Sequence, residues 1–245
     1  MKRIMLTVAY DGTNYHGWQV QPNGETIEGV LNRCLSELMQ ENIEVIGASR
    51  TDSGVHAMGN IAVFDTQSLI PPEKIAYALN ARLPEDIKIQ DSKEVDINFH
   101  PRHCDSRKTY EYRIYNATFP MPTQRLYSYF TYVPLNVERM REAAVYFVGT
   151  HDFKSFCSVD TQAENTVRQI ESVEVLQSDN QIVIRVAGRG FLYNMVRIMA
   201  GTLMEAGRGN ILPQDIERIL EAKDRAAAGP TAPACGLTLI RYDFL

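Results

Sequence analysis

Two apolar runs, residues 43–46 and 61–64, bracket a stretch of small, turn-forming residues: Gly47-Ala48-Ser49-Arg50-Thr51-Asp52-Ser53-Gly54-Val55-His56-Ala57. That pattern drives a chain to strand, tight loop, strand. Short apolar runs bounded by Gly and Ser pair in sheets, and the polar residues between them stay near solvent. The loop carries one carboxylate, Asp52, with a guanidinium, Arg50, before it and an imidazole, His56, after it. Gly54 gives the backbone a freedom that a Cβ would forbid. An arginine paired with Asp52 would hold it ionised, and a fixed, ionised carboxylate can serve as nucleophile, base or metal ligand. The same aspartate can also do no more than close an Asx turn. The pattern alone balances these two readings evenly.

Beyond the loop, Ile4, Leu6, Val8 and Tyr10 alternate as in a strand. Ile27, Val30, Leu31, Cys34, Leu35, Leu38 and Met39 recur at helical spacing behind an N-cap, Thr26. Pro71-Pro72-Glu73 opens a second helix through Ile75, Ala76 and Leu79, and residues 87–95 read as another strand. The style then repeats. A strand over 109–115 carries Tyr110, Tyr112 and Ile114 on one face, and a helix follows over 137–147. Strands over 173–176 and 181–187 meet at Ser178-Asp179-Asn180. A helix over 191–206 ends at Gly207, a shorter one over 213–222 has Pro213 in its first turn, and a strand closes the chain at 237–240. Two mixed halves result, 1–103 and 104–245. Their hairpin-rich connections predict an α+β fold, the halves sharing a largely antiparallel sheet with helices packed on it.

The 245 residues are 44 % hydrophobic and 22 % charged, as in a soluble globular chain. No apolar run approaches the roughly 18 residues that cross a membrane, and the apolar part of the N-terminus is too short for a signal peptide. Cys34, Cys104, Cys157 and Cys235 are dispersed without a C-x-x-C pair. That spacing argues against a zinc site or disulfide framework and fits a reducing cytoplasm. The net charge of −5 counts against nucleic acid as a partner, but distribution matters more than the sum. Residues 100–113 hold four Lys or Arg against two acids, with two His besides; residues 185–208 hold four Arg against one Glu. Such clusters form either a basic groove or ordinary solvated faces, and composition alone favours the second. His151-Asp152 reads as a structural turn, since two ligands do not make a metal site. Gly188-Arg189-Gly190 lacks the third glycine of a dinucleotide-binding loop.

The segment Ala48 to Ala57 resembles the catalytic-loop signature of the tRNA pseudouridine synthase A family. Further stretches follow in that family's order: Ala9-Tyr10-Asp11-Gly12-Thr13-Asn14-Tyr15-His16-Gly17-Trp18-Gln19; Phe99-His100-Pro101-Arg102; Arg107-Lys108-Thr109-Tyr110-Glu111-Tyr112-Arg113; Gly149-Thr150-His151-Asp152-Phe153; Gly190-Phe191-Leu192-Tyr193-Asn194-Met195-Val196-Arg197; and Ala232-Pro233-Ala234-Cys235-Gly236-Leu237. The resemblance spans nearly the whole chain. It implies the pseudouridine synthase fold and isomerisation of uridine to pseudouridine in the tRNA anticodon stem-loop, at about positions 38–40. It also implies a cytoplasmic homodimer whose subunits together form the RNA groove, with no cofactor and no metal.

The resemblance implies Asp52 as nucleophile, Tyr110 as the aromatic packed on the uracil and candidate acceptor of the C5 proton, and Arg197 as the partner of Asp52. Leu192, Met195 and Met199 are expected to face the core around Arg197, and a guanidinium held among them calls for an anion. Implied contacts with RNA or substrate fall on Arg50, His56, Phe99, His100, Arg102, Arg107, Lys108, Arg168, Arg189 and Leu237; a cap on the Asp52 loop is the other reading of His56. Arg102, Arg107, Lys108 and Arg189 are the candidates for phosphate, which positions RNA without reading its sequence. The family commonly has Ala where Pro101 stands. Two other classes compete. A non-catalytic RNA-binding module would use the basic clusters but not Asp52, Tyr110 and Arg197; a metal-dependent hydrolase would use Asp52, His56 and His151.

Overall fold

A computed structural model of the chain describes residues 1–158 and 163–245. Strand β1 (Lys2–Tyr10) is followed by α1 (Ile27–Met39), the short β2 (Ile46–Gly47), β3 (His56–Thr66), α2 (Pro72–Asn80) and β4 (Ile87–Val95). Next come β5 (Ser106–Asn116), β6 (Tyr129–Thr131), α3 (Val137–Ala144), β7 (Gly149–Asp152), β8 (Val167–Ser178) and β9 (Gln181–Arg189). Helices α4 (Met195–Arg208) and α5 (Asp215–Ala222) precede the last strand, β10 (Leu237–Phe244). The class is α+β. The chain forms two compact units, Met1–Asp105 with Leu239–Leu245, and Ser106–Thr238. The last residues thus return to the first unit, which a single cut along the sequence does not describe.

In the first unit the strand order is β4-β1-β3-β10. Antiparallel pairing runs from Lys2↔Thr66 to Val8↔Asn60 between β1 and β3, and from Arg3↔Val95 between β1 and β4. Ile4, Leu6, Val8 and Tyr10 are buried, as their alternation predicts. The Thr26 hydroxyl accepts from Gly29 N (3.2 Å) and caps α1, which buries Ile27, Val30, Leu31, Cys34, Leu35 and Met39. Helix α2 is fixed to β4 by two side chains. Ser92 Oγ accepts from Ala76 N (2.9 Å) and donates to Pro72 O (2.7 Å), and Asn80 bonds both the carbonyl and the amide of Ile89 (2.8 and 2.7 Å). The residues at Met5, Ile61 and Val63 form a further cluster with Ala48 and Tyr242, covered by Ile46, Val95 and Phe99.

In the second unit the order is β5-β9-β8-β7, all antiparallel, with β6 running parallel to the end of β5. Tyr110, Tyr112 and Ile114 are buried opposite Val186, Ile184 and Ile182. The intervening residues build an ion ladder on the other face of the strands. The buried Glu111 pairs with Arg185 across the register (2.8 Å) and with Arg113 (2.9 Å), and Arg185 reaches Glu174 on β8 (3.5 Å).

Several elements differ from the sequence reading: β8 and β10 run longer, and α5 starts at Asp215, past Pro213. Helix α4 starts at Met195 rather than 191, because Asn194 takes the left-handed conformation (φ 60°) that precedes the first turn. It also runs past Gly207 to Arg208, and Gly209 (φ 83°) is the glycine that caps it, its N–H donating to Ala206 O and Glu205 O. His151-Asp152 lies not in a turn but in β7, where His151 sits opposite Arg168.

Burial pushes the Glu111 carboxyl up, and the hydrogen bonds from Arg185 and Arg113 outweigh it and hold the group below its ordinary pKa. A carboxyl depressed on folding stabilises the fold above its unfolded pKa, about 4.3, and that contribution is lost as the pH falls through the native value. Glu111→Gln is therefore expected to cost roughly 1–3 kcal/mol at pH 7. The gap in melting temperature between the two proteins should narrow below about pH 4.3; a gap that stays constant from pH 7 to pH 3 contradicts this.

Candidate active site

Asp52 sits half-buried in the loop between β2 and β3, and the loop is held by backbone contacts from residues 10–18. Trp18 N donates to Thr51 O (3.0 Å) and Gly54 N to Tyr15 O (3.2 Å), while Val55 N turns back to Asp52 O (3.1 Å). Ser53 Oγ donates to Tyr15 O (3.2 Å). From below, the Tyr10 hydroxyl meets Thr51 Oγ1 (2.8 Å), and Asn60 Nδ2 donates to Ser49 O (2.9 Å). Burial pushes the Tyr10 phenol far above its ordinary range, so it stays a neutral hydroxyl. This approach depends on missing Cβ atoms. A Cβ on Gly12 would lie 2.0 Å from Val55 O, and one on Gly17, already at φ +84°, would lie 2.7 Å from Thr51 O. Of the loop's other polar side chains, Arg50 is exposed. His56 opens β3 and is buried, 3 % exposed, which suits the loop-capping alternative over the RNA contact. Its Nδ1 lies 3.1 Å from both Gly12 N and Asp11 Oδ1. One ring nitrogen cannot accept from the amide and donate to the carboxylate together, so the two contacts are alternatives set by whether Nδ1 carries a hydrogen.

In the second unit, Arg197 occupies the first turn of α4. Its Nε donates to Ala232 O (2.7 Å) and its Nη1 to Asn194 Oδ1 (2.7 Å), while Ala232 N returns a bond to Arg197 O (3.1 Å). Asn194 Nδ2 in turn donates to Ser158 Oγ (2.7 Å). Leu192, Met195 and Met199 are buried around it, as expected. Segment 229–232 lies against α4 closely enough that a Cβ on Gly201 would fall 1.8 Å from Pro230 O. Tyr110 on β5 is buried with its ring edge-on to Phe191 (centroids 5.1 Å apart, 78°). Tyr112, two residues on, donates its hydroxyl to Pro233 O (2.9 Å), and burial drives its phenol far above the ordinary range, which marks it as a structural donor.

The residues expected to touch RNA divide by environment. Leu237 is buried at the start of β10. Phe99 packs on the Met5 cluster and edge-on to Phe244 (5.3 Å), so its ring serves the core of the first unit. His100 stacks on His103 (4.0 Å, 16°). Burial, followed by the His103, Arg102 and Arg3 charges, holds its imidazole below the ordinary range. Arg102 is exposed, yet its Nε donates to Gly47 O (2.7 Å). Arg107 and Arg189 both reach Glu171 (3.7 and 3.1 Å), and strand alternation puts them on the face opposite Tyr110, whereas Lys108 shares the Tyr110 face. Arg168 bonds the carbonyls of Asn165 and Val167 (2.8 and 2.7 Å), and burial lowers its pKa. Among the described residues no group of three or more His, Cys, Asp or Glu is arranged to hold a metal ion, and His151 bonds Val148 O (3.0 Å). Among them, too, no helix is long and apolar enough to cross a membrane.

The sequence profile of a family described as tRNA pseudouridine synthase matches residues 6–103 and 143–244. The chain is similar over nearly its full length to proteins named tRNA pseudouridine synthase A. That of Acetivibrio thermocellus is 48 % identical over 240 residues, covering 98 % of each chain. That of Ruminiclostridium cellulolyticum is 48 % identical over 242 residues, covering 98 % of this chain and 99 % of the relative. That of Bacillus subtilis is 44 % identical over 245 residues, again covering 98 % and 99 %. The chain belongs to the tRNA pseudouridine synthase family. The reaction of a tRNA pseudouridine synthase is the isomerisation of uridine to pseudouridine in tRNA. Asp52 and Arg197 lie inside the matched segments; Tyr110 lies between them, so its assignment rests on the motif 107–113.

Sequence reasoning passed over the residues that hold this synthase's Asp52 loop and Arg197 in place. Asn194, Gly12, Gly17 and Gly201 lie within or beside its motifs, but only contacts reveal what they do. Gly201→Ala drives a Cβ into backbone and is expected to cost at least about 2–3 kcal/mol. Gly207→Ala in the same helix has side chains rather than backbone as its nearest neighbours, Met140 (2.9 Å) and Leu135 (3.4 Å). It regains up to about 1 kcal/mol of helix propensity and should stay near wild type. Urea melts of the two variants decide: equal stability would contradict the close packing of segment 229–232 on α4.

Proposed function

We propose that this chain isomerises uridines in the tRNA anticodon stem-loop at about positions 38–40, where the base has to be flipped out of a stem. Asp52 is the nucleophile, Tyr110 packs on the uracil, and Arg197 pairs with Asp52 and keeps it ionised. In the reaction the N1–C1′ bond breaks, the base turns and the C5–C1′ bond forms. C5 gives up a proton and N1 gains one, so no electrons are exchanged and side chains suffice. The carboxylate adds to C6 or to C1′, or assists a glycal route; each needs it ionised and aimed. An aromatic face against the base contributes roughly 1–3 kcal/mol, and the Tyr110 hydroxyl is placed on the same ring to take the C5 proton. The protein works as a homodimer in the cytoplasm, a setting that its four free thiols suit.

The observation that carries this reading is the loop itself. Within a family match that includes it, the one carboxylate of residues 47–57 is flanked on both sides by backbone groups bound to other segments, as an oriented nucleophile requires. The test is a pseudouridine map of tRNA treated with wild type and with Asp52→Asn. The variant keeps the shape and loses the charge. It is expected to bind tRNA nearly as wild type does and to isomerise it more than about a thousandfold more slowly. Substantial turnover by Asp52→Asn, with deamidation excluded by mass, removes the nucleophile from this reading.

A further inference from the structure

The segment 99–102 is tied down by three carbonyl contacts. Arg3, held to Asp65 by two 2.7 Å bonds, donates its remaining Nη1 to Phe99 O (2.8 Å). The buried Tyr242 hydroxyl donates to Pro101 O (2.8 Å). Arg102 then reaches out from the segment, and its Nε donates to Gly47 O (2.7 Å). Gly47 is the last residue of β2, opposite Ala62 on β3; its successor, Ala48, still bonds Ile61 O (2.7 Å). The chain leaves the strand there and reaches Asp52 five residues later. Phe99 packs beneath the same point, against a cluster that contains Ala48.

We propose that Arg102 is a positioning residue of the isomerase rather than a phosphate contact: through Gly47 it fixes the point at which the Asp52 loop departs from β2. This rests on the reading of Asp52 as nucleophile. The strap transmits the positions of β1, through Arg3, and of β10, through Tyr242, to the root of the loop. Small displacements of a reacting group are costly in rate, so a contact with no share in RNA affinity can still govern turnover.

The geometry supplies a discriminating pair of variants. The amide nitrogen of Gln stands the same number of bonds from the backbone as Arg Nε, so Arg102→Gln keeps a donor for Gly47 O and loses the charge. Arg102→Met keeps the stem and loses both. Each full-length variant is melted, its tRNA affinity is measured over a range of salt, and its single-turnover rate is measured at saturating tRNA below its melting temperature. Arg102→Met is expected to be slower by more than about tenfold, and Arg102→Gln to recover most of that rate. Both should keep the wild-type slope of log affinity against log salt. A phosphate contact behaves otherwise: both variants would lose about one unit of salt slope and affinity together, with the rate at saturation unchanged. That outcome overturns the proposal, as does an Arg102→Gln that melts like wild type and is as slow as Arg102→Met. Asp52→Asn, run alongside, separates the two questions, since its normal turnover would reject the nucleophile whatever the Arg102 variants do.

Discussion

The position of Asp52 depends on one close contact, the backbone of residues 10–18 lying against the backbone of residues 51–55. Main-chain groups bridge the two segments at Trp18 and Thr51 and at Tyr15 and Gly54. A side chain at Gly12 or Gly17 would push them apart. A loop bound in this way loses little further entropy when a substrate arrives, and its carboxylate is aimed beforehand. The second unit uses the same device, with segment 229–232 seated against α4 where Gly201 has no Cβ, and with Ala232 holding Arg197 from two directions.

Arginines serve more as clamps here than their count suggests. Arg3, Arg168 and Arg197 each donate to a backbone carbonyl of a loop, Arg102 donates to that of the last residue of β2, and Arg107 and Arg189 share one glutamate. A planar guanidinium with five donors suits this use, because it can bind two carbonyls or a carboxylate and a carbonyl at once. A chain with a net charge of −5 therefore commits much of its positive charge to its own framework.

Much of this was legible in the sequence. The alternation of Ile4 to Tyr10, the Thr26 cap and the Tyr110-Tyr112-Ile114 face all appear as read, because each depends on local periodicity or capping chemistry. The start of α4 was misplaced, because Phe191 and Leu192 fit the helical period while the left-handed Asn194 has no signature in composition. Gly207 looked like a helix end, yet it lies inside α4, which runs on to the left-handed Gly209. The partners of Phe99, Arg102 and Arg168 were unreadable for a simpler reason. They bond backbone carbonyls or fill a distant cluster, every residue has a carbonyl, and no motif names the one that is used.

The claim that the Asp52 loop is built before tRNA binds is tested most directly by amide hydrogen exchange in the free protein and in its tRNA complex. The amides of Trp18, Ala48, Gly54 and Val55 donate to Thr51, Ile61, Tyr15 and Asp52 respectively. They are expected to be protected in the free protein to the level of neighbouring amides in β1 and β3, and to change little when tRNA is added. Exchange at the rate of an exposed loop, with protection gained only in the complex, would show that the substrate rather than the fold sets the position of Asp52.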